Sequence, residues 1–375
     1  MVLIKLKKVK KIIFFSLPVV MLVMLMVLPA PAGKKENIMT DPAKRDGVAI
    51  IMTGAAARIP QEAALLEELY DRGLLKNVVF ISGVSSGALN AVMLNGILSH
   101  KMTWKEYKGI LFSLKNSDIY IQNGKQLPVN TAPARKLYTR VTEGRLGYHQ
   151  IGDLPFMTEI SFTNISDMYL RKRVYRMCSR KINQETDTTL SLVDIMMASS
   201  AFPIAFPPVR IQNVRTIPNA EYVDGGVGDD HVPFRALIEF EKFRGKGVER
   251  VYIISRKSDS IPEVGQELED LGIKDRKIYD RLGVSLENFL KKGIIKRLEA
   301  YEVEAPDLKE RTYIWIPDFK KDFPLMNFDD LKEQYDLTQL WAHYHNPVPL
   351  EEFLSPYRKN EKSLGEYLLK QFPLR

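Results

Sequence analysis

Residues 78–90 join a strand pattern to a helix pattern through a Gly-x-Ser-x-Gly turn. Residues 78–81 are apolar and mostly branched or aromatic, which is typical of a buried strand. Residues 88–98 carry apolar side chains at helical spacing. A strand that turns sharply into a helix at a serine exposes the hydroxyl and directs the helix N-terminus toward it. Ser85 is therefore the candidate nucleophile, although an ordinary Gly/Ser turn is the alternative for this motif alone.

The preceding segment has the same alternation of strand and helix. Residues 48–52 form an apolar run, residues 54–58 a loop of small residues ending in arginine, and a helical pattern begins at Pro60. This succession predicts an α/β fold with a largely parallel sheet. Because small residues let backbone N–H groups approach a reacting ester, the loop is a candidate oxyanion hole. A simple helix start is the alternative interpretation.

A serine nucleophile needs a base, and a histidine oriented by a carboxylate is the usual one. All five histidines follow Ser85, and the candidates for this role are His231, His343 and His345. None of them lies in a motif that would place it beside the serine. Asp224 ends a predicted strand and precedes two glycines, which allow a tight turn. A buried carboxylate next to a serine can itself act as the base, because burial raises its pKa.

In this order, the motifs resemble those of the patatin-like phospholipase family. Gly83-Val84-Ser85-Ser86-Gly87 is similar to the family's nucleophile elbow, and Asp224-Gly225-Gly226 to its Asp-Gly-Gly/Ala box. Residues 54–58 lie in the place of its Gly-Gly-Gly-x-Arg/Lys oxyanion loop, and residues 198–208 resemble its apolar Ser-Ser-Ala-x-Pro stretch. The resemblance covers about residues 47–255.

The resemblance implies a patatin-like three-layer α/β/α fold and a Ser–Asp dyad. Ser85 would be the nucleophile and Asp224 the base, without a metal or cofactor. The oxyanion hole would be formed by Gly54, Ala55, Ala56 and Arg58. The expected activity is that of a serine acyl-ester hydrolase acting on lipids, of the phospholipase A or lysophospholipase type. The expected partner is a lipid or phospholipid at a membrane surface.

The loop departs from the family pattern at two of its three glycines. Ala55 and Ala56 stand in their places, and Ile59 replaces the glycine that usually follows the basic residue. If positive φ is required there, alanine costs about 1–2 kcal/mol. A patatin-fold protein with weakened catalysis that binds lipid or a partner is therefore a second hypothesis. A Ser-His-Asp carboxylesterase using His231 is a third.

The N-terminal residues have the pattern of an export signal. Residues 1–32 contain five lysines, no acidic residue, an apolar run of 17 residues and an Ala30-x-Ala32 site. An uncleaved membrane anchor is the alternative, since about 17–25 residues span a bilayer. We therefore expect an exported protein, periplasmic or secreted. Residues 33–46 are predicted to be a linker, 47–255 a hydrolase domain, and 256–375 a C-terminal α/β extension packed on it.

Charge and composition exclude several other classes of protein. The formal net charge is +8, and five of the positive charges lie in residues 1–32, so nucleic acid is not an expected partner. Cys178 is the single cysteine, which excludes an internal disulfide and a multi-cysteine zinc site. The five histidines show no convincing metal-ligand spacing. The sequence does not indicate an oligomeric state.

Overall fold

The computed structural model describes residues 44–356, except residues 123, 125–126, 167–173, 204, 213–219, 229, 258–293 and 322. The export signal in residues 1–32 and a helix expected at residues 361–371 lie outside these ranges and stay predictions. None of the helices in the described ranges is both long and apolar enough to cross a bilayer.

One sheet contains the described strands. They are β1 (Val48–Met52), β2 (Val78–Val84), β3 (Thr158–Asn164), β4 (Val174–Cys178), β5 (Val209–Arg210), β6 (Glu221–Asp224), β7 (Arg250–Ile254), β8 (Thr312–Trp315) and β9 (Val348–Pro349). The order is β5-β6-β3-β2-β1-β7-β8-β9, with β4 also paired to β3. The five strands from β3 to β8 in this order are parallel, and the flanking strands pair antiparallel. The predicted α/β fold with a largely parallel sheet is confirmed.

Helices cover both faces of the sheet. They are α1 (Ile59–Asp71), α2 (Ser86–Leu98), α3 (Trp104–Ser113), α4 (Asn116–Ile119), α5 (Ala132–Thr139), α6 (Leu192–Ser199), α7 (Arg235–Arg244), α8 (Ile294–Glu304), α9 (Pro306–Lys309) and α10 (Leu331–Tyr344). The sequence of residues 280–302 predicts an amphipathic helix, and only the part from Ile294 onward lies in the described ranges. The sequence of residues 169–177 predicts a strand, and its described part begins at Val174.

Strand β1 shows why two layers of helices are needed. Its side chains alternate, so that Ile50 and Met52 pack in one hydrophobic core, and Ala49 and Ile51 in the other. A strand buried on both faces is apolar throughout, which explains its unbroken apolar run. The first core contains residues of α1 and α2, and the second contains residues of α7 and α8.

The chain after β7 returns to the start of α1. Strand β8 extends the sheet beside β7, and α10 then runs along α1. Gln334, near the start of α10, donates from Nε2 to the Ala57 carbonyl at 3.2 Å. At the other end of both helices, Arg72 Nη2 donates to the Ala342 carbonyl at 2.5 Å. The first turn of α10 therefore lies next to the small-residue loop that follows β1.

Candidate active site

Ser85 occupies a strained turn between β2 and α2. Its φ of 57° and ψ of −127° lie outside the regions that residues with a side chain usually adopt. Such a conformation costs on the order of 1–3 kcal/mol and persists only where the surroundings fix it. The Ser85 N–H donates to Ser199 Oγ at 2.9 Å, and that hydroxyl donates to the Ser161 carbonyl at 2.8 Å. The turn is therefore hydrogen-bonded to α6 and, through Ser199, to β3.

The two glycines of the turn are required by close approach of the backbone. A Cβ on Gly83 would lie 2.3 Å from the Gly87 carbonyl oxygen, and one on Gly87 would lie 2.4 Å from the Thr53 carbonyl oxygen. Both distances are far below van der Waals contact. Side chains at these positions would therefore push α2 away from β2 and from the end of β1.

The register of the sheet brings Asp224 to the same place. Val84, the last residue of β2, pairs with Ser161, and the next residue of β3, Phe162, pairs with Asp224 at the end of β6. The Asp224 N–H also donates to the Ala201 carbonyl at 3.1 Å. The ends of β2 and β6 therefore lie on opposite sides of the same two residues of β3.

The Ser85 hydroxyl lies within hydrogen-bonding reach of the Asp224 carboxyl group. Asp224 is 6% exposed, and its Oδ1 also accepts the Gly226 N–H at 2.9 Å. Burial raises the pKa of Asp224 to about 6, against the opposing effects of the Ser85 hydroxyl and the Gly226 N–H. The carboxyl group thus ionises close to the range in which a general base works best at neutral pH.

The candidate histidines lie at two different places. His231 is near the base, because a Cβ on Gly226 would lie 2.8 Å from His231 Nδ1 and 3.2 Å from Asp224 Oδ1. His343 and His345 lie at the end of α10, and the side chain of His343 is 68% exposed.

The small-residue loop runs beside the serine. A Cβ on Gly54 would lie 3.1 Å from the Cβ of Ser85. The Ala55 N–H donates to Ser86 Oγ at 2.7 Å, so it is engaged within the fold. The N–H groups of Gly54, Ala56 and Ser86 have no hydrogen-bond partner among the described residues. Unpaired N–H groups next to a nucleophile are what an oxyanion hole requires.

Two buried or half-buried arginines hold this loop in place: Arg58 is its last residue, and Arg256 contacts its first. Arg58 is 2% exposed and donates from Nε to the Phe323 carbonyl at 2.5 Å. Arg256 donates from Nη1 to the Gly54 carbonyl at 2.7 Å. Sequence reasoning missed Arg256, and also Gln334, because neither lies in a motif. Each of them contacts a residue more than two hundred positions earlier in the chain, so no local sequence pattern indicates the contact.

The two alanines of the loop have different conformations, which predicts opposite effects of glycine. Ala55 has a φ of −132°, but Ala56 has a φ of 46°. Alanine at such a positive φ costs about 1–2 kcal/mol, whereas glycine costs about 0.4–1 kcal/mol through the unfolded chain. We expect Ala56→Gly to raise the free energy of unfolding by about 0.5–1 kcal/mol and Ala55→Gly to lower it similarly. Urea denaturation measures both, and a decrease in both variants would contradict strain at Ala56.

A buried carboxyl connects the end of β1 to the helix that follows the nucleophile. Glu62 is fully buried, and burial raises its pKa to about 8 despite its hydrogen bonds. It accepts from Thr53 Oγ1 at 3.0 Å and from Asn90 Nδ2 at 3.2 Å. The residue before the loop and the helix after Ser85 are thereby held by one side chain.

An apolar wall lies next to the base. The segment that carries the Ala201 carbonyl lines a small cavity together with Tyr138, Met197 and Phe206. The Val129 N–H donates to the Ala205 carbonyl at 2.9 Å, which attaches this part of the chain to the wall.

Metal ligands are not grouped in the part of the chain that the structure describes. No set of three or more His, Cys, Asp or Glu side chains there is placed to hold an ion. Cys178 is buried, and burial raises the pKa of its thiol. Around Ser85, the described residues supply a serine hydroxyl, the carboxyl group of Asp224 and backbone N–H donors.

Comparisons with known proteins agree with the motifs. A family model described as Patatin-like phospholipase matches residues 50–238. No curated protein sequence matches the chain. Among solved structures, VipD from Legionella pneumophila is 13% identical, with a TM-score of 0.35 over 80% of this chain and 67% of that one.

Two further solved structures are similar to the chain. Human GIVD cytosolic phospholipase A2 is 9% identical, with a TM-score of 0.35 over 57% of this chain and 43% of that one. The type III effector protein ExoU is 12% identical, with a TM-score of 0.33 over 79% of this chain and 52% of that one. The chain thus spans about half the length of these two proteins.

Proposed function

The chain belongs to the patatin-like phospholipase family, and we propose that it hydrolyses acyl esters of lipids with Ser85 as nucleophile and Asp224 as general base. The observation that carries this proposal is that the sheet brings these two side chains within hydrogen-bonding reach at a strained strand-to-helix turn. The strain supports a catalytic role, because backbone conformations of this kind cluster at active sites.

In the first half of the reaction, Asp224 accepts the proton of the Ser85 hydroxyl as its oxygen attacks the ester carbonyl. The carbonyl oxygen becomes an oxyanion, which the unpaired N–H groups of Ala56 and Ser86 stabilise. The bond to the leaving alcohol then breaks, and the protonated Asp224 gives its proton to that alcohol. The product is an acyl-enzyme on Ser85 and a free alcohol.

In the second half, water takes the place of the serine. Asp224 accepts a proton from the water as its oxygen attacks the acyl-enzyme, and the oxyanion forms again. Collapse of this intermediate releases a fatty acid, and Asp224 returns its proton to Ser85. The dyad is restored, and one water is consumed for each ester cleaved.

Burial of the carboxyl group explains how the pair works without a histidine. With a pKa of about 6, Asp224 is about nine-tenths ionised at pH 7. It is also a stronger base than an exposed aspartate, which has a pKa near 3.9. The site therefore supplies an ionised base of useful strength at neutral pH.

A lipid panel tests the substrate class. We expect fatty acid release from vesicles of phosphatidylcholine and from lysophosphatidylcholine, with slower release from a triglyceride emulsion, because the family model that matches the chain is one of phospholipases. The measurement is fatty acid released per minute, with Ser113→Ala as the matched control, since Ser113 is an exposed serine on α3. Equal release by the protein and by Ser85→Ala on every lipid would overturn the proposal.

The second hypothesis, a lipid-binding protein without turnover, is tested by binding and by labelling of the serine. This hypothesis predicts that the chain sediments with phosphatidylcholine vesicles but that a fluorophosphonate probe does not label Ser85. The engaged N–H of Ala55 is the observation in favour of this hypothesis. Labelling of Ser85 would reject it.

A further inference from the structure

The C-terminal part of the chain holds Ala57 from both sides. The Ala57 N–H donates to the Leu325 carbonyl at 2.7 Å, and its carbonyl accepts from Gln334 Nε2 at 3.2 Å. The next residue, Arg58, donates to the Phe323 carbonyl. Both backbone groups of one loop residue and the side chain of the next are therefore bound to residues 323–334, which we name the C-terminal clamp.

The clamp is built from buried polar groups. Gln334 and Gln61 are each 1% exposed. Gln334 Oε1 accepts from Gln61 Nε2 at 3.2 Å, and Gln61 Oε1 accepts the Lys257 N–H at 2.8 Å. Because both ends of the Gln334 amide are bound, its orientation toward Ala57 is fixed. A buried amide in such a chain is costly to disturb, since each lost partner leaves a desolvated group.

The clamp is also attached on its other side. The Tyr120 hydroxyl donates to the Met326 carbonyl at 3.3 Å. The Phe328 N–H donates to Asn116 Oδ1 at 2.8 Å, and Asn116 Nδ2 donates to Asp329 Oδ2 at 2.8 Å. These contacts connect residues 326–329 to α4 and to the residue that follows it. The clamp therefore connects the loop to a part of the molecule that does not itself contain Ser85 or Asp224.

The residue that needs this support is Ala56, directly before Ala57. Its φ of 46° is one that glycine adopts freely and alanine adopts only under constraint. Its N–H has no hydrogen-bond partner among the described residues. Without the contacts at Ala57 and Arg58, a flip of the Ala55–Ala56 peptide that brings Ala56 to negative φ would relieve the strain and reverse the direction of this N–H.

We propose that the C-terminal clamp, which lies outside the family match at residues 50–238, is a positioning element that keeps the Ala56 N–H directed at the oxyanion. Gln334 is its central positioning residue and does not touch the substrate. The inference rests on the proposed function, since it assigns a task within that reaction. It explains how an alanine serves at a loop position where the family pattern has glycine.

The test compares Gln334→Met with Gln339→Met. Methionine is close to glutamine in shape, and Gln339 lies on the same helix but contacts Glu67 instead of the loop. We expect Gln334→Met to lower kcat on a soluble nitrophenyl ester by about 10–100-fold, since a displaced donor costs part of the 10²–10³ of a removed one. KM should stay within about twofold, because the ground-state ester does not use the oxyanion donor. Gln339→Met should keep the parent kcat.

Hydrogen exchange provides a readout that does not depend on turnover. Amides in a peptide covering residues 53–60 should exchange at least about tenfold faster in Gln334→Met than in the parent or in Gln339→Met. Unchanged exchange, or a kcat equal to that of the parent, overturns the clamp. If the parent protein is no more active than Ser85→Ala, the proposed function is wrong. The hydrogen-exchange result then decides by itself whether the clamp holds the loop.

Discussion

Replacing Ser85 with alanine lowers ester hydrolysis by about 10⁴–10⁶-fold, the largest effect that we expect from any substitution in this chain. The magnitude follows from loss of the nucleophile in enzymes that form an acyl intermediate, where only the remaining site residues still act. The measurement is kcat on a soluble nitrophenyl ester and on phosphatidylcholine vesicles. Ser113→Ala keeps the parent kcat.

A stability measurement separates loss of chemistry from loss of folding. Alanine keeps the strain of the turn, but glycine adopts a φ of 57° without it. We therefore expect Ser85→Gly to be as inactive as Ser85→Ala. Its free energy of unfolding should exceed that of Ser85→Ala by about 0.5–2 kcal/mol, which is the relieved strain less the cost of glycine in the unfolded chain. If Ser85→Ala retains the parent activity, the nucleophile lies elsewhere and the mechanism is wrong.

The part of the fold that the sequence predicts is the part made by short-range patterns. Strand β1, helix α1, strand β2 and helix α2 follow from runs of apolar residues and from the glycines at their ends. Each pattern spans fewer than fifteen residues. The largely parallel order follows too, because strands alternating with helices require crossover connections.

The flanking part of the sheet was not predictable from such patterns. Strand β6 pairs antiparallel with β3, about sixty residues away along the chain. In that pairing Phe162 lies opposite Asp224, and the sequence around neither residue indicates this register. The sequence therefore pointed to Asp224 through its glycines and through the resemblance to a family, whereas its distance from Ser85 depends on the assembled sheet.

The conformation of the oxyanion loop was also not predictable from the sequence. The sequence shows that alanines stand where the family has glycines, but the backbone angles decide whether each alanine is strained. Ala55 has an ordinary φ and its N–H donates to Ser86, whereas Ala56 has a positive φ and an N–H that no described residue accepts. The contacts that impose this difference come from residues 323–334, more than 260 residues further along. No pattern within the loop contains that information.

The base gives the second large effect. We expect Asp224→Asn to lower kcat/KM by about 10²–10⁴-fold, the usual contribution of a general base. Asparagine keeps the size of the side chain and a hydrogen bond to the hydroxyl, but it accepts no proton. Kinetics of the nitrophenyl ester at pH 8 measure the loss, and fluorophosphonate labelling of Ser85 should slow in parallel, because the serine is no longer deprotonated during attack.

The pH profile of the parent tests the same group. The base must be ionised, so kcat/KM should be constant above about pH 7 and fall as the pH drops through about 6, the pKa to which burial raises Asp224. An exposed aspartate would move this midpoint to about 3.9. A histidine base would place it near 6.5, so the profile alone does not distinguish the two.

His231→Ala resolves that ambiguity, because His231 is the histidine that lies next to Gly226. If Asp224 is the base, His231→Ala keeps the midpoint near pH 6 and changes kcat/KM by less than about threefold. If an imidazole were the base, the same substitution would remove the acidic limb and lower kcat/KM by about 10²–10⁴-fold. Asp224 would then orient the imidazole instead of accepting the proton itself.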